Sequence, residues 1–329
     1  YAYQLLPSIV DHKHFRAAYA GIQVYQGDQY PAEYAGTVFM GNIHDSSVHQ
    51  DRLTPNGSSF KASFIQDFVR SNDGWFRPVS TQVGPDGALW IMDWYDKYPC
   101  YQNANADPEG VDREYGRIWR VVHVGDQPGK PVPPRPSNLN LAKLNAAELV
   151  QTLSHRNNWH RRMAQKILSD RRDPQTQGPL RTLLKNSPTL EARLAALWTL
   201  HSSELLDDAT LDSLIGDSQP AIRTWGARLT GERGDASQAA LERLETLAND
   251  PDNAVRLGVA TAVRQLVSGS LTVNTPVPAN RADINPGPNQ AALATHPGSA
   301  NDPVLPFMIW MAAEPVIARD PQPALAWLA

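Results

Sequence analysis

Gln127 to Asn138, QPGKPVPPRPSN, is the stretch on which the reading of the fold depends. Proline holds such a segment extended and semi-rigid, and no apolar periodicity runs through it, so it reads as a connector. Before it, apolar residues recur with a period of two; after it the period becomes 3.6, the difference between strands and helices. The expected organisation is a β domain over residues 1–126, a proline-rich linker over 127–138 and a helical domain over 139–329.

Upstream of the connector, Gly36 to Ile43 is a short apolar run and Ser47 to Leu53 alternates. Thr54-Pro55-Asn56-Gly57 supplies a tight turn before Ser59 to Ile65 alternates again, which predicts a three-strand meander. Val79 to Val83 then meets a turn at Gly84-Pro85-Asp86-Gly87, followed by Ala88 to Trp94 and later by Gly116 to Val124. Many short strands with Gly and Pro turns point to a sandwich, a barrel or a propeller. Between Asp93 and Gly116 lies a long stretch without periodicity, of the kind that is functional or disordered. Its aromatic residues Trp94, Tyr95, Tyr98, Tyr101 and Tyr115 argue against disorder.

Downstream, segments stack on an arginine. Arg161, Arg193, Arg223 and Arg256 stand 32, 30 and 33 residues apart in similar local sequence. Six residues before each lies a polar residue, His155, Ser187, Asp217 or Asp250; Ser and Asp are helix-capping types, Pro188 and Pro251 suit a first helical turn, and His155 is the weak member. A fifth copy starts at Asp302-Pro303 with Met308 in the arginine position, displaced by a Pro/Gly/Asn-rich loop insertion over 273–300. A repeat of about thirty residues with helical period reads as an α-solenoid, whose units bury their apolar faces only by stacking.

The 30 basic and 34 acidic side chains leave a formal charge of -4, which excludes bulk-electrostatic binding to nucleic acid; the His155 to Arg162 cluster reads as a solvated helix end. One cysteine, Cys100, excludes an internal disulfide, a Cys-rich zinc site and a Cys-x-x-Cys-His haem attachment in these residues. The apolar stretch Val304 to Val316 is interrupted by Pro306, Glu314 and Pro315 and is too short for a membrane span. The chain opens on Tyr1 without a leader, so it is expected to be a processed or excised piece.

Gly21-Ile-Gln-Val-Tyr-Gln-Gly27, Trp75-Phe76-Arg77-Pro78, Gly84 to Tyr95 and Gly116-Arg-Ile-Trp-Arg120 resemble the planctomycete-type membrane-bound dehydrogenases, and the arginine repeat is similar to HEAT repeats. The resemblance implies a partial β-propeller, its last blades similar to quinoprotein sugar dehydrogenases, followed by an α-solenoid of HEAT-like repeats. It also implies a quinone cofactor of the PQQ type, export to the periplasm, and a c-type haem in a cytochrome domain outside this chain. Six strands make one and a half blades, so further blades are expected upstream of Tyr1. The activity implied is oxidation of a sugar or alcohol, with electrons passed to the cytochrome. A non-catalytic scaffold binding polysaccharide or protein, and a calcium-dependent lactonase-like hydrolase, stand as alternatives.

Three groups carry candidate chemistry. Asn103, Asn105, Asp107, Glu109 and Asp112 place oxygen donors at the spacing of a calcium loop, against a reading in which they cap their own turns. His44, at the end of an apolar strand beside Asp45, is a candidate general base, whereas His49 belongs to the next strand. Arg77 suits an anionic group such as a quinone carboxylate or sugar acid, or an internal salt bridge. Cys100, with no histidine between His49 and His123, reads as a packing thiol.

Overall fold

The computed structural model describes residues 18–98, 106–107, 112, 114–125, 129–134, 136, 139–268 and 284–322. Among these residues strands give way to helices after the connector, so the chain is a mixed β and α protein. Strands β1 (Tyr19–Val24), β2 (Val38–Asn42), β3 (Ser47–Asn56) and β4 (Ser59–Arg70) form one sheet in sequence order, with β1–β2 and β2–β3 antiparallel. Strands β5 (Pro78–Val83), β6 (Leu89–Asp93) and β7 (Arg117–Val121) form a second, antiparallel sheet, again in sequence order. The described residues form no closed barrel or propeller.

Two differences from the sequence reading have local causes. The β3–β4 reversal falls at Gly57 and Ser58, with Pro55 inside the strand, because Gly57 is the residue that takes a positive φ of 60°. Strand β1 escapes an alternation search because a bulge at Gly21 breaks its register. A Cβ on Gly21 would lie 2.5 Å from Ser80 Cα, so glycine is what allows β1 and β5 to approach each other.

The chain condenses into two compact units. One holds the described residues up to Thr54 and from Lys61 to Thr199; the other holds Pro55–Phe60 and the residues from Leu200 on. In the first, Tyr25, Phe39, Val48, Phe76, Leu89 and Ile91 form an aromatic and aliphatic core. Tyr25 and Tyr30 stack at 4.5 Å, and their hydroxyls donate to Gly87 O and Val121 O at 2.8 and 2.7 Å, so each buried ring has a satisfied polar tip. Burial raises both phenol pKa values, that of Tyr25 to about 12.

The same unit contains α1 (Ala146–Thr152), α2 (Asn158–Arg171), α3 (Gln177–Asn186) and most of α4 (Leu190–Ser202). Compaction therefore does not follow the connector. Asn157 accepts a hydrogen bond from Trp159 N at 2.9 Å as the cap of α2, while its Nδ2 donates to Gly84 O at 2.9 Å. Asn158 N donates to Gln26 O at 2.9 Å, and His160 Nε2 lies 2.9 Å from Pro85 O. The first helices are thus bonded directly to the loops of the sheets.

The second unit is helical from α5 (Asp208–Leu214) through α6 (Pro220–Glu232), α7 (Gln238–Ala248), α8 (Asn253–Ser268), α9 (Gly287–Thr295) and α10 (Leu305–Arg319). Its core joins Ala227, Leu244, Leu247, Val259, Val263, Leu293 and Ala312. Part of the stretch read as a loop insertion is helix α9, anchored by buried Leu293 and by Asn289 Nδ2 donating to Leu241 O at 2.9 Å. Pro286, Gly287 and Pro288 resemble loop sequence, yet they stand at the helix start, where the backbone has no intrahelical N–H partners to lose.

The arginine repeat has a structural meaning. Helices α2, α4, α6 and α10 begin three residues after His155, Ser187, Asp217 and Asp302, and α8 does so after Asp250. These polar residues share a bond to the turn ahead of the helix, and Asp302 also accepts from Leu305 N, the first of α10, at 2.8 Å. Each accepts the backbone N–H two residues on: Asn157 to His155 Nδ1 at 3.0 Å, Thr189 to Ser187 at 3.4 Å, Gln219 to Asp217 at 2.9 Å, Asp252 to Asp250 at 2.9 Å and Val304 to Asp302 at 3.0 Å. His155 is a full member, since a neutral imidazole nitrogen accepts as a carboxylate does. Arg161 and Arg223 donate back to the carbonyl of the residue six before them, at 2.6 and 2.7 Å, and Arg256 makes the same bond. Arg193 donates through Nε to Leu184 O at 2.7 Å.

Candidate functional site

Strand β6, the central strand of the second sheet, ends on Asp93, a carboxylate with almost no exposure that organises that end of the sheet. Its Oδ1 accepts from Arg77 N at 2.8 Å and Tyr95 N at 3.0 Å; its Oδ2 accepts from Arg117 Nε at 2.7 Å and Trp119 Nε1 at 2.9 Å. Tyr95 takes φ 55°, a left-handed conformation that disfavours a side chain, and the Asp93 bond holds it there. Arg117 sits over the Tyr95 ring at 4.2 Å and reaches Asp73 at 2.6 Å. Burial works against its charge, but the bonds to Asp73 and Asp93 outweigh burial and raise its pKa.

Arg77 lies in this framework, and its two terminal nitrogens are engaged, while its buried Nε has no partner among the described residues. Its Nη1 donates to Ser46 Oγ at 2.9 Å and Phe76 O at 2.8 Å; its Nη2 donates to Gly74 O at 2.7 Å and Lys97 O at 2.6 Å. These contacts pin the β2–β3 turn, and they leave no bidentate face for a bound carboxylate. His44 is in that turn, exposed, with its backbone N–H donating to Asn42 at 3.2 Å. Its imidazole makes no hydrogen bond to a described residue, and Asp45 turns to Arg70 at 3.6 Å instead. His49, by contrast, is buried between Tyr19 and Phe64, with Nε2 3.4 Å from Asp67.

The calcium candidates divide. Asn103, Asn105 and Glu109, like Cys100, lie outside the described residues. Asp107 pairs with Lys97 at 2.7 Å and accepts the Tyr98 hydroxyl. Asp112 accepts from Glu114 N at 2.9 Å and Tyr115 N at 3.3 Å, which caps its own turn. Among the described residues no three His, Cys, Asp or Glu side chains gather where a metal ion fits.

A different group of residues forms a cleft of about 510 Å³, which no motif in the sequence indicated. One wall is β1 and β5, contributing Gln23, Ser80 and Gln82, with Gln26 just beyond β1. The other is the first two turns of α2, where Trp159, Arg162, Met163 and Lys166 share a face at the i, i+3, i+4, i+7 spacing. The opposite face of α2 buries Arg161, Ala164 and Leu168. The side chains of Gln26, Ser80, Gln82, Asn158 and Arg162 make no hydrogen bond to any described residue, so their polar groups face the cleft or solvent. Sequence reasoning missed these residues because the cleft needs α2 brought against β1 and β5, contacts that the connector conceals.

Residues 3–125 match the family model of a domain of unknown function, DUF7133, a segment that ends just after β7. A search of curated proteins finds no match to this chain.

Proposed function

We propose that this chain is part of a propeller and HEAT-repeat protein that binds polysaccharide as a non-catalytic scaffold. The propeller reading is supported by two sheets that each run in sequence order, as consecutive blades do, and by strands β1 and β5 packing closely at Gly21. The HEAT-like reading is supported by the recurring turn and by Arg223, which reaches Asp250 of the following copy through Nε at 2.6 Å and Nη2 at 2.9 Å. The observation that carries the binding reading is the cleft between β1, β5 and α2. It gathers with Trp159 the amide and hydroxyl side chains of Gln26, Ser80, Gln82 and Asn158, which bond no described residue. Sugar rings present hydroxyls on their edges and C–H groups on their faces, which such a surface matches. Titration of the purified chain with a panel of soluble oligosaccharides, followed by product analysis, tests this. Saturable binding without new products supports it, and turnover of any bound sugar refutes it.

A second reading, sugar or alcohol oxidation with a PQQ-type quinone and a cytochrome acceptor, rests on the sequence resemblance and on the exposed imidazole of His44, which bonds no described residue. Dye-linked oxidation by the complete exported protein, lost in His44→Ala, supports that reading. A rate unchanged by His44→Ala removes the histidine from it.

A further inference from the structure

The cleft carries an asymmetry that a neutral ligand does not require. Arg162 and Lys166 line it, and no acidic residue does, in a chain whose formal charge is -4. Lys166 has one acidic neighbour, Asp170 at 3.0 Å, in an i,i+4 pair with both side chains largely exposed, which in water is a weak competitor. Arg162 has no ion-pair or hydrogen-bonding partner among the described residues. Spaced four residues apart on α2, the two cations stand one helical turn from each other, beside Trp159.

We propose that the cleft is a binding site for acidic saccharides, in which Trp159 carries a sugar face while Arg162 and Lys166 pair with carboxylates or sulfate esters on the same chain. The proposal rests on the polysaccharide-binding reading above and narrows it to one ligand chemistry and one site. The amides of Gln23, Gln26, Gln82 and Asn158 supply both donors and acceptors for ring hydroxyls, whereas the two cations supply donors only. Guanidinium is suited to both anions because its fork matches either in bidentate fashion, while Lys166 acts as a point charge. A cleft of about 510 Å³ falls within the roughly 300–1,000 Å³ range of sites that enclose small ligands. Nucleic acid does not fit the same surface, since two cations do not offset the net negative charge of the chain over a polyanion's length.

The test is calorimetric titration of the whole chain with an oligogalacturonate, a sulfated galactan oligosaccharide and a neutral galactan oligosaccharide at low and high salt. At least one acidic probe is expected to bind, more tightly than the neutral one and less tightly as salt rises. Which acidic probe binds identifies the anion as carboxylate or sulfate. The variant Arg162→Glu/Lys166→Glu changes only exposed side chains and is expected to keep the wild-type circular dichroism while losing at least about tenfold in acidic-probe affinity. Trp159→Ala is expected to weaken binding of both acidic and neutral probes. Acidic-probe binding unchanged in the charge-reversal variant overturns the site. Neutral binding equal to acidic binding overturns the anion preference and leaves the polysaccharide reading standing, and no binding to any probe overturns both.

Discussion

Asp302→Asn tests whether the recurring turn of the helical unit is stabilising. Asp302 is 6% exposed and accepts five hydrogen bonds. Oδ1 takes Ser58 Oγ at 2.6 Å, Val304 N at 3.0 Å and Leu305 N at 2.8 Å; Oδ2 takes Ser58 N at 2.6 Å and Asn253 Nδ2 at 2.7 Å. Burial opposes the charge, but the bonds from Ser58, Val304 and Leu305 outweigh it and hold the pKa at about 2. With an unfolded pKa near 3.9, the carboxylate contributes about 2 kcal/mol. Because the folded pKa is the lower one, that contribution is complete above about pH 4 and disappears as the pH falls through about 2. Asparagine keeps the shape but turns an NH₂ toward two donors in place of Oδ2. Bonds to charged groups are each worth about 1.5–3 kcal/mol, so the variant is expected to lose about 3 kcal/mol at neutral pH. Urea unfolding followed by far-UV circular dichroism reads the helical unit directly. Wild type and variant should differ most at neutral pH and converge toward pH 2. A difference that is the same at pH 7 and pH 2, or that is under about 0.5 kcal/mol at pH 7, refutes the reasoning.

Three other outcomes follow from the same contacts. His155 has a lowered pKa, chiefly from burial and then from His160, whose ring it stacks on at 4.0 Å. A base depressed on folding stabilises only while neutral, so melting temperature should fall as pH drops below about 6.5, and His155→Asp should remove that dependence while keeping the acceptor for Asn157 N. Asp93→Asn removes the acceptor shared by Arg117 and Trp119 and should cost about 3–5 kcal/mol, with altered tryptophan fluorescence; unchanged fluorescence and stability contradict the node described above. Pro315, inside α10, has no N–H to give Met311 O, and buried Arg264 donates to that carbonyl at 2.9 Å instead. Arg264→Met should therefore destabilise wild type more than Pro315→Ala, where an N–H is restored, and a zero coupling energy in a double-mutant cycle contradicts this compensation.

How much was legible follows from the range of each interaction. The change of period at 127–138 revealed strands followed by helices, because alternation and 3.6-residue recurrence are local. The arginine spacing of six was visible as a pattern, but its cause was not. The side chains cap a turn ahead of the helix, and the arginine answers a backbone carbonyl that no sequence displays. Strand β1 was hidden by its bulge, and α9 by the prolines and glycine at its start. His44 and Arg77 were read as separate candidates; the carbonyls of Phe76 and Gly74 that engage Arg77 are its neighbours in sequence, whereas its bonds to Lys97 O and to Ser46, in the turn that holds His44, join segments distant in sequence.

The polar side chains sort into two populations, and that division is the strongest guide to function. Asp93, Arg77, Asp302 and Arg223 are buried or nearly so, and each makes several hydrogen bonds to the protein. In a low-dielectric interior such groups are costly unless they are paired, so their pairing shows them to be part of the framework. Residue type alone does not make them catalytic candidates. The cleft residues are the reverse case. Gln26, Gln82, Asn158 and Arg162 are partly or fully exposed and their side chains bond nothing described, so each side chain is hydrated and available to exchange water for a ligand. A scaffold that fixes α2 through Asn157 and His160 to the loop at Gly84 and Pro85 holds those side chains around Trp159 with little backbone freedom left to lose on binding. The rigid contacts and the open ones therefore meet on one helix, which is the arrangement the proposed site requires.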